Sequence, residues 1–311
     1  MKLLFFIVNT KAGNGRSLKV WNKVKQELEK NNIKYRSFLT KYPTHAEELA
    51  RQIGSMFEEK IDAVIAVGGD GTLHEVLNGM VYYPDVKVGY IPAGSGNDFS
   101  RGFHVPNSPL DALSLIVRNR KSKGKFFDIG KCKVKGVTKT HYFVSNMGAG
   151  FDAAVAKLTN ESKMKKYLNK IHLGSLSYVG AVFRQLFTYR LTDVSITIDG
   201  QPYTYENVWF VTISNQPYYG GGMKIAPMAI TTDGLLDITI VHNLSRVKLL
   251  FVFVTVFFGK HTNFKEVSQL KGAKVSIESS ESMLVHADGE LIGQMPLQAE
   301  ILHKKIPFIV K

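Results

Sequence analysis

The stretch VIAVGGDGTLHEVLNGM, residues 64–80, constrains the fold of this chain more than any other segment. An apolar run that is typical of a buried strand ends in the loop GGDGT, and a helix-like pattern follows directly. A strand that turns through glycines into a helix is typical of a parallel sheet with helices on its faces. Because such sheets bind ligands at the carboxyl ends of their strands, we expect this loop to face a binding site.

The first part of the chain alternates strand-like and helix-like segments. LLFFIV (3–8) precedes a stretch over residues 17–32 in which apolar residues recur at helical spacing. Two further strands are predicted at residues 62–67 and 87–92, each before a turn that contains glycine. This alternation predicts an α/β domain over residues 1–126.

The second part of the chain has a different pattern. Many short β-like runs follow one another, and DG or GQ pairs typical of hairpin turns separate several of them. The pattern predicts an antiparallel β-sandwich over residues 127–311, with a helical insertion at about 156–190. Two domains also agree with the length of 311 residues, since a single core seldom grows that large.

The chain is strongly basic, with 40 Lys and Arg against 26 Asp and Glu and a net charge of +14. Such a charge attracts nucleic acid, anionic lipid headgroups or phosphorylated small molecules. No recognition-helix or base-stacking motif accompanies the charge, which argues against nucleic acid. The single cysteine, Cys132, excludes an intramolecular disulfide and favours a cytoplasmic location. The most apolar segment, residues 247–260, is shorter than the ~20 residues that a membrane span needs.

Three loops at predicted strand ends are rich in small residues: NTKAGNGR (9–16), GGDGT (68–72) and AGSGND (93–98). Small residues allow backbone amides to approach a phosphate closely at a helix start. The carboxylate of Asp70 would repel a phosphate there unless a cation lies between them. Mg²⁺ is the usual cation in phosphoryl-transfer sites, so the loop suits a metal–nucleotide complex. Alternatively, Asp70 caps the helix that starts near Leu73.

Six blocks of sequence, taken in order, carry a resemblance to a known family. They are GGDGTLHEVLNG (68–79), IPAGSGNDFSRGF (91–103), NMGAGFDA (146–153), NQPYYGGGMKIAPMA (215–229), TTDGLLD (231–237) and HADGELIG (286–293). The chain resembles the diacylglycerol kinase catalytic superfamily, and within it the soluble bacterial lipid kinases. The resemblance implies a Rossmann-like nucleotide domain followed by a β-sandwich, with the last residues packing back on the first domain.

The same resemblance implies ATP-dependent phosphorylation of a lipid hydroxyl, with diacylglycerol as the leading acceptor and phosphatidic acid as product. Asp70 and Asp98 would serve a catalytic Mg²⁺, and Glu290 would act as general base on the attacking hydroxyl. The residues implied to surround the nucleotide are Asn9, Thr10, Lys11, Ala12, Gly13, Arg16, Thr40, Gly68, Gly69, Asp70, Gly71, Thr72, Ser95 and Asn97. From the residues alone, the Asp-Gly pair before Glu290 is an ordinary hairpin turn.

A second, structural Mg²⁺ is implied at the DGLLD block. Similar enzymes hold it with an aspartate, acting through water, and with two main-chain carbonyls. On that alignment the aspartate is Asp233, and Ile230 and Leu235 supply the carbonyls. Oxygen-only ligands suit a hard cation. Without the resemblance, Asp233 and Gly234 predict only a turn.

Two other functions remain open on the sequence. An NAD kinase-like enzyme shares the GGDGT loop and a two-domain layout, and a non-catalytic ATP- or lipid-binding regulator would share the loops. A lipid kinase would work at the inner face of the membrane as a peripheral protein, because its acceptor is dissolved in the bilayer. Candidate membrane contacts are KMKKYLNK (163–170) and the apolar run 247–258. A homodimer is the generic expectation for the oligomeric state.

Overall fold

A computed structural model describes residues 2–161 and 185–311 of the chain. The first part contains β1 (Leu3–Val8), α1 (Arg16–Lys30), β2 (Tyr35–Leu39), α2 (His45–Phe57), β3 (Ile61–Gly68), α3 (Asp70–Met80), β4 (Lys87–Pro92), α4 (Asp98–Gly102) and α5 (Pro109–Asn119). Short 3₁₀ turns lie at Ala12–Gly15 and Glu58–Lys60.

The second part begins with a long strand and is built mainly of β-structure. It contains β5 (Lys125–Val134), β6 (His141–Phe143), β7 (Asn146–Gly150), α6 (Phe151–Glu161), β8 (Thr192–Ile198), β9 (Gln201–Ser214), β10 (Tyr218–Tyr219), β11 (Met223–Lys224), β12 (Leu236–His242), α7 (Arg246–Val256), a 3₁₀ turn (His261–Asn263), β13 (Val267–Gly272), β14 (Lys274–Ser279), β15 (Leu284–Ala287), β16 (Glu290–Gln294) and β17 (Leu297–Phe308).

The first domain is the predicted parallel sheet. Its strands pair in the order β2, β1, β3 and β4, all in parallel. The strands β1 and β3 are buried along almost their whole length, as a sheet covered by helices on both faces requires. The carboxyl ends of β1, β3 and β4 therefore bring the three small-residue loops to one edge of the sheet. The predicted α/β fold is confirmed.

The second domain is antiparallel, as predicted. One path of hydrogen-bonded strands runs β16, β15, β7, β9, β8, β14 and β17, while β12 and β13 extend from β9 and β5 and β6 extend from β17. Inward-facing aliphatic residues of these strands form a separate core. In β8 buried and exposed residues alternate strictly, because one face of the strand packs on that core. The predicted β-sandwich is confirmed.

The last strand, β17, belongs to both domains. It pairs with β5 and β14 of the sandwich, and its final residue, Phe308, pairs in parallel with Val88 of β4. The ring of Phe308 is 1% exposed and lies 5.2 Å from the ring centroid of Phe99 and 5.8 Å from that of Phe127. The chain terminus thereby ties the sandwich to the core of the first domain.

The helix α7 has apolar residues on both its buried and its exposed face. Its residues Leu249, Val252 and Val256 are buried, whereas Val247 and Phe251 on the other face are 66% and 69% exposed. In the part of the chain that is described, no helix is both long and apolar enough to cross a membrane. The basic segment 163–170 lies outside the described residues.

Truncation of Phe308 should destabilise the whole protein, because its ring fills a buried aromatic cluster. We expect Phe308→Ala to lower the free energy of unfolding by about 3–5 kcal/mol, as measured by denaturant titration. Phe258→Ala is the matched control, since that ring is 70% exposed. Equal losses for the two variants would contradict the role assigned to β17.

Candidate active site

A cleft of about 970 Å³ lies between the loops of the first domain and the strands of the second. The first domain contributes residues of its three small-residue loops. The second domain contributes the turn before β7, the start of α6 and the β15–β16 hairpin. The residues that line it include Lys11, Gly13, Asn14, Arg16, Asp70, Gly94, Ser95, Gly96, Asp98, Ser145, Asn146, Asp152, Tyr219, Gly221, His286, Asp288 and Gly289.

The three loops of the first domain pack backbone against backbone. A Cβ atom on Gly94 would lie 2.5 Å from the Cα atom of Gly69, and one on Gly13 would lie 2.5 Å from the carbonyl oxygen of Ala93. Gly13 also has a positive φ of 58°, which favours glycine. The loops need glycine because side chains would force them apart and withdraw their amides from the cleft.

The structure brings most of the predicted nucleotide residues together. Lys11, Gly13, Arg16 and Ser95 line the cleft. Behind them, the amide of the Asn9 side chain donates to the hydroxyl of Thr72 over 3.1 Å and joins the first loop to the second. The remaining members lie in or beside these loops: Thr10 and Ala12 flank Lys11, and Gly68, Gly69 and Gly71 flank Asp70.

Thr40 and Asn97 lie behind the loops and do not line the cleft. The backbone amide of Thr40, which follows β2, donates to the carbonyl of Val8 over 2.9 Å, so Thr40 borders the first loop. Asn97 takes a positive φ of 54°, and its side-chain oxygen accepts from the buried Tyr90 hydroxyl over 3.3 Å. Both residues shape the loops from behind.

Asp70 does not cap its own helix. The helix α3 begins at Asp70 itself, with Gly69 as an N-cap that makes no side-chain bond. The Asp70 carboxylate instead accepts the backbone amides of Asp98 and Phe99, over 3.0 Å and 3.3 Å, at the start of α4. Burial, opposed in part by these amides, raises the pKa of Asp70 from 3.8 to about 6, and the nearby Asp98 and Asp288 charges add to the rise.

Asp98 is also buried, and both of its oxygens are engaged. Oδ1 accepts from the Arg101 guanidinium over 2.7 Å, and Oδ2 accepts the backbone amide of Gly221 over 2.6 Å. Arg101 also donates to the carbonyl of Gly96. Asp98 therefore links the third loop of the first domain to the β10–β11 turn of the second.

Glu290 approaches the same loops from the second domain. It is exposed, and its Oε1 atom lies 3.2 Å from the position that a Cβ atom on Gly71 would take. The carboxylate thus reaches the first turn of α3, next to Asp70. This placement brings together carboxylates that stand 220 positions apart in the sequence numbering, from residue 70 to residue 290.

The carboxylates of this cleft suit a hard cation. Asp70 is disfavoured as an anion in the free protein, because burial and neighbouring carboxylates leave its charge poorly compensated. Oxygen donors are the ligands that Mg²⁺ prefers, and Mg²⁺ usually shares them with substrate phosphates. Among the described residues, no cluster of three or more His, Cys, Asp or Glu forms a metal site by itself.

Asp288 has a role that the sequence did not predict. Asp288 and Gly289 do form a two-residue turn, with φ values of 47° and 88°. The Asp288 carboxylate also accepts the backbone amides of Val144, Ser145 and Asn146, each over 3.0 Å. It further contacts Nδ1 of His74 on α3 at 3.0 Å. Asp288 consequently joins the two domains at the floor of the cleft.

The histidine partner of this contact is fully enclosed. Burial of the His74 ring opposes its protonation, but the hydrogen bond and charge of Asp288, together with the charges of Glu290 and Glu47, raise the pKa of His74. One turn further along α3, the Asn78 side chain donates to the carbonyl of Tyr142 and accepts its amide, both over 2.9 Å. No local pattern signals these bonds, since each joins residues far apart in the chain.

A second polar group was also missed by the sequence. Asp152 lies at the start of α6, and its Oδ2 atom lies 2.9 Å from Nε2 of His286 and 3.4 Å from the Tyr219 hydroxyl. Asp152 and Tyr219 also line a separate apolar cavity of about 70 Å³ behind the cleft. They therefore mark the boundary between a polar and an apolar space.

The residues of the implied structural metal lie outside this cleft, in the turn before β12. The Asp233 Oδ1 atom accepts the amide of Leu235 over 3.1 Å, as in an ordinary Asx turn, and Ile230 is 54% exposed. The ammonium of Lys271 lies 4.0 Å from the other Asp233 oxygen. The arrangement is a turn with a lysine beside it.

Comparison with known proteins assigns the family. The family "Diacylglycerol kinase catalytic domain" matches residues 3–131, and "YegS C-terminal NAD kinase beta sandwich-like domain" matches residues 145–310. The chain belongs to the diacylglycerol kinase family. The two matches of this family fall on the α/β part and the β-sandwich part of the structure.

Curated relatives and a solved structure match most of the chain. This chain is 35% identical over 295 residues to "Putative lipid kinase YtlR" of Bacillus subtilis (strain 168), and the alignment covers 94% of this chain and 95% of the relative. It is 31% identical to a diacylglycerol kinase of Staphylococcus aureus (strain NCTC 8325 / PS 47) over 76% of this chain and 71% of the relative. The crystal structure of a "putative diacylglycerol kinase" from Bacillus anthracis str. Sterne superposes with a TM-score of 0.79, 27% identity and coverage of 100% and 95%.

The raised pKa of Asp70 predicts a pH-dependent stability of the free protein. The folded state keeps the Asp70 proton up to about pH 6, whereas the unfolded chain releases it near 3.8, so the contribution of Asp70 to stability falls as pH rises between these values. Asp70→Asn lacks this titration. The free energy of unfolding of Asp70→Asn minus that of wild type should therefore increase by up to about 3 kcal/mol as the pH rises from about 4 to about 7. Denaturant unfolding at each pH measures the change.

The control for this prediction is Asp85→Asn, which alters an exposed aspartate of the same domain. A change with pH for Asp70→Asn that does not exceed the change for Asp85→Asn would contradict the burial of an ionisable group at residue 70.

Proposed function

We propose that this chain transfers the γ-phosphate of ATP to the hydroxyl of a membrane lipid, with diacylglycerol as the leading acceptor and phosphatidic acid as the product. The observation that carries the proposal is the position of Glu290. It belongs to the sandwich domain, yet its carboxylate lies beside Gly71 in the loop that follows β3. A carboxylate of the second domain therefore lies beside the glycine loop of the first domain.

The nucleotide side of the proposal rests on the first domain. The loops after β1, β3 and β4 present small residues and backbone amides, and Lys11 and Arg16 add positive charge on the same wall of the cleft. Cations and amides together stabilise the charge of a triphosphate. Asp70 and Asp98 would hold Mg²⁺ together with the phosphates, and the ion would neutralise charge on the transferring phosphoryl group.

The residues of the chain then account for the proton and the phosphoryl group. Glu290 accepts the proton of the lipid hydroxyl as the hydroxyl oxygen attacks the γ-phosphorus. The bond between the γ-phosphorus and the β–γ bridging oxygen breaks, and ADP departs. Lys11, Arg16 and the loop amides stabilise the charge on the transferring group, because they are already positioned before the reaction begins.

The lipid side of the proposal rests on the apolar cavity that adjoins the cleft. Its walls include Phe151, Val155, Phe210, Met223, Leu249 and Phe253, and it meets the cleft at Asp152 and Tyr219. An acceptor whose hydroxyl lies in the cleft can place an apolar tail towards this cavity. The diacylglycerol kinase of Staphylococcus aureus, with which this chain shares 31% identity, supports the choice of acceptor.

The decisive assay follows labelled γ-phosphate from ATP into a panel of lipids in mixed micelles with Mg²⁺. We expect Glu290→Gln to lower the rate by about 10²-fold or more, since the general base is lost. Glu278→Gln, at an exposed glutamate of the same domain, is the control and should retain full activity. Near-full activity of Glu290→Gln would remove Glu290 from the role of base, and transfer to NAD alone would replace the lipid acceptor.

We also propose that the outer face of α7 rests on an anionic membrane. Val247, Phe251 and Phe258 on or after α7 are 66%, 69% and 70% exposed, and Lys260 and Lys265 beside them are exposed too. The inner face of the same helix lines the apolar cavity. A membrane contact there would place the cavity next to the bilayer that holds the acceptor.

Removal of the exposed rings should weaken membrane binding. We expect Phe251→Ser and Phe258→Ser each to lower the affinity for anionic vesicles by about 10-fold, because each loses buried apolar area. Sedimentation with vesicles at low salt measures the affinity. Met56→Ser is the control, since Met56 is 70% exposed on the first domain. Equal losses for Met56→Ser, or no retention of the wild type, would contradict this contact.

A further inference from the structure

A lysine lies beside the turn in which the DGLLD block implies a metal ion. We propose that the ammonium of Lys271 takes the place of the structural divalent cation, so that the second domain of this chain carries a built-in cation and needs no metal at this position. The proposal concerns the turn before β12 and does not depend on the activity of the cleft.

The pairing of two strands puts Lys271 at this position. In the antiparallel pair of β12 and β13, Lys271 lies directly opposite Asp237, which is the last residue of the DGLLD block. The Lys271 ammonium contacts the Asp237 Oδ1 atom at 3.2 Å. The strand register determines that Lys271 lies opposite Asp237, because a slip of one residue would turn every side chain of β13 to the other face.

Oxygen atoms from both sides of the turn lie near the ammonium. The carbonyl oxygen of Met228 accepts from it over 3.1 Å, and the Asp233 Oδ2 atom lies 4.0 Å away. Met228 precedes Ile230, one of the implied metal ligands, by two positions. The lysine therefore links the chain just before the turn to a carboxylate of the DGLLD block, through one main-chain carbonyl and the Asp237 side chain.

The charge balance at this position also favours the lysine. Asp237 is 5% exposed, and its Oδ2 atom is buried without a hydrogen-bond partner among the described residues. A divalent ion held by Asp233 would lie close to the ammonium and be repelled by it, whereas a single positive charge compensates the buried carboxylate.

Thermal unfolding without nucleotide tests the proposal. The proteins are wild type, Lys271→Met and the matched control Lys131→Met, each scanned in EDTA and in millimolar Mg²⁺. Lys131 is a fair control because it too lies directly opposite a carboxylate, Glu300, with an ion-pair distance of 2.6 Å. Asp233→Asn is scanned in the same way to separate this turn from any Mg²⁺ bound in the cleft.

We expect Lys271→Met to unfold several degrees below wild type in EDTA, and we expect Mg²⁺ to recover much of that loss by entering the vacated oxygen cluster. Lys131→Met should show no recovery beyond the wild-type response to Mg²⁺. Wild type and Asp233→Asn should respond to Mg²⁺ alike.

Three results would overturn the proposal. The first is a Mg²⁺-dependent gain in wild type that Asp233→Asn abolishes, which would show that a metal binds beside the lysine. The second is a loss in Lys271→Met that Mg²⁺ does not recover, which would show an ordinary ion pair. The third is a Lys271→Met protein that unfolds like wild type in both solutions. None of these results bears on kinase activity, so the two proposals fail separately.

Discussion

The cleft of this protein depends on one buried carboxylate. Asp288 accepts three backbone amides from the segment that leads into β7, and it pairs with His74 on the first helix after the glycine loop. A carboxylate that is removed from water needs such donors, and here they come from both domains. Glu290 follows Asp288 by two positions in the same hairpin. The contact that joins the domains therefore also sets how close Glu290 comes to the loop after β3.

The cleft combines groups of both charges, and its carboxylates repel one another in the free protein. Its first wall has amides, Lys11 and Arg16, which suit an anion, while Asp70 and Asp98 on the same wall suit a cation. The raised pKa of Asp70 shows that its charge is poorly compensated before a ligand binds. Groups that are unfavourable alone and favourable with a ligand are typical of a functional site. Under the proposed function, a nucleotide with its metal ion satisfies both sets at once.

In the second domain a buried carboxylate is compensated within the chain, and an apolar helix face is exposed. The cross-strand position of Lys271 brings a permanent cation to Asp237, so this charge is compensated inside the chain. The helix α7 leaves apolar residues on both of its faces, and only the inner face has a partner within the described residues. A membrane would cover the outer face under the proposed function, and the apolar cavity would then lie between that surface and the cleft.

Much of the fold was predictable from the sequence, because local patterns carry it. Strands such as β1 and β3 are short apolar runs, the hairpin turns of the second domain have Asp-Gly pairs, and the glycine loops follow their strands directly. The parallel sheet also determines that its loops meet at one edge. The grouping of Lys11, Arg16, Asp70 and Ser95 in one cleft follows from that rule.

The sequence alone established the order of strands and helices, the two-domain division and the chemistry available at each loop. Only the tertiary structure showed that the Asp70 carboxylate accepts an amide of α4 and does not cap α3. It also showed the contacts of Asp288 with His74, of Asp152 with His286 and of Lys271 with Asp237. The contact between Asp288 and His74 joins residues 214 positions apart, and the contact between Asp152 and His286 joins residues 134 positions apart. Periodicity and turn propensity report only on near neighbours along the chain, so contacts of this range arise from strand register and domain packing.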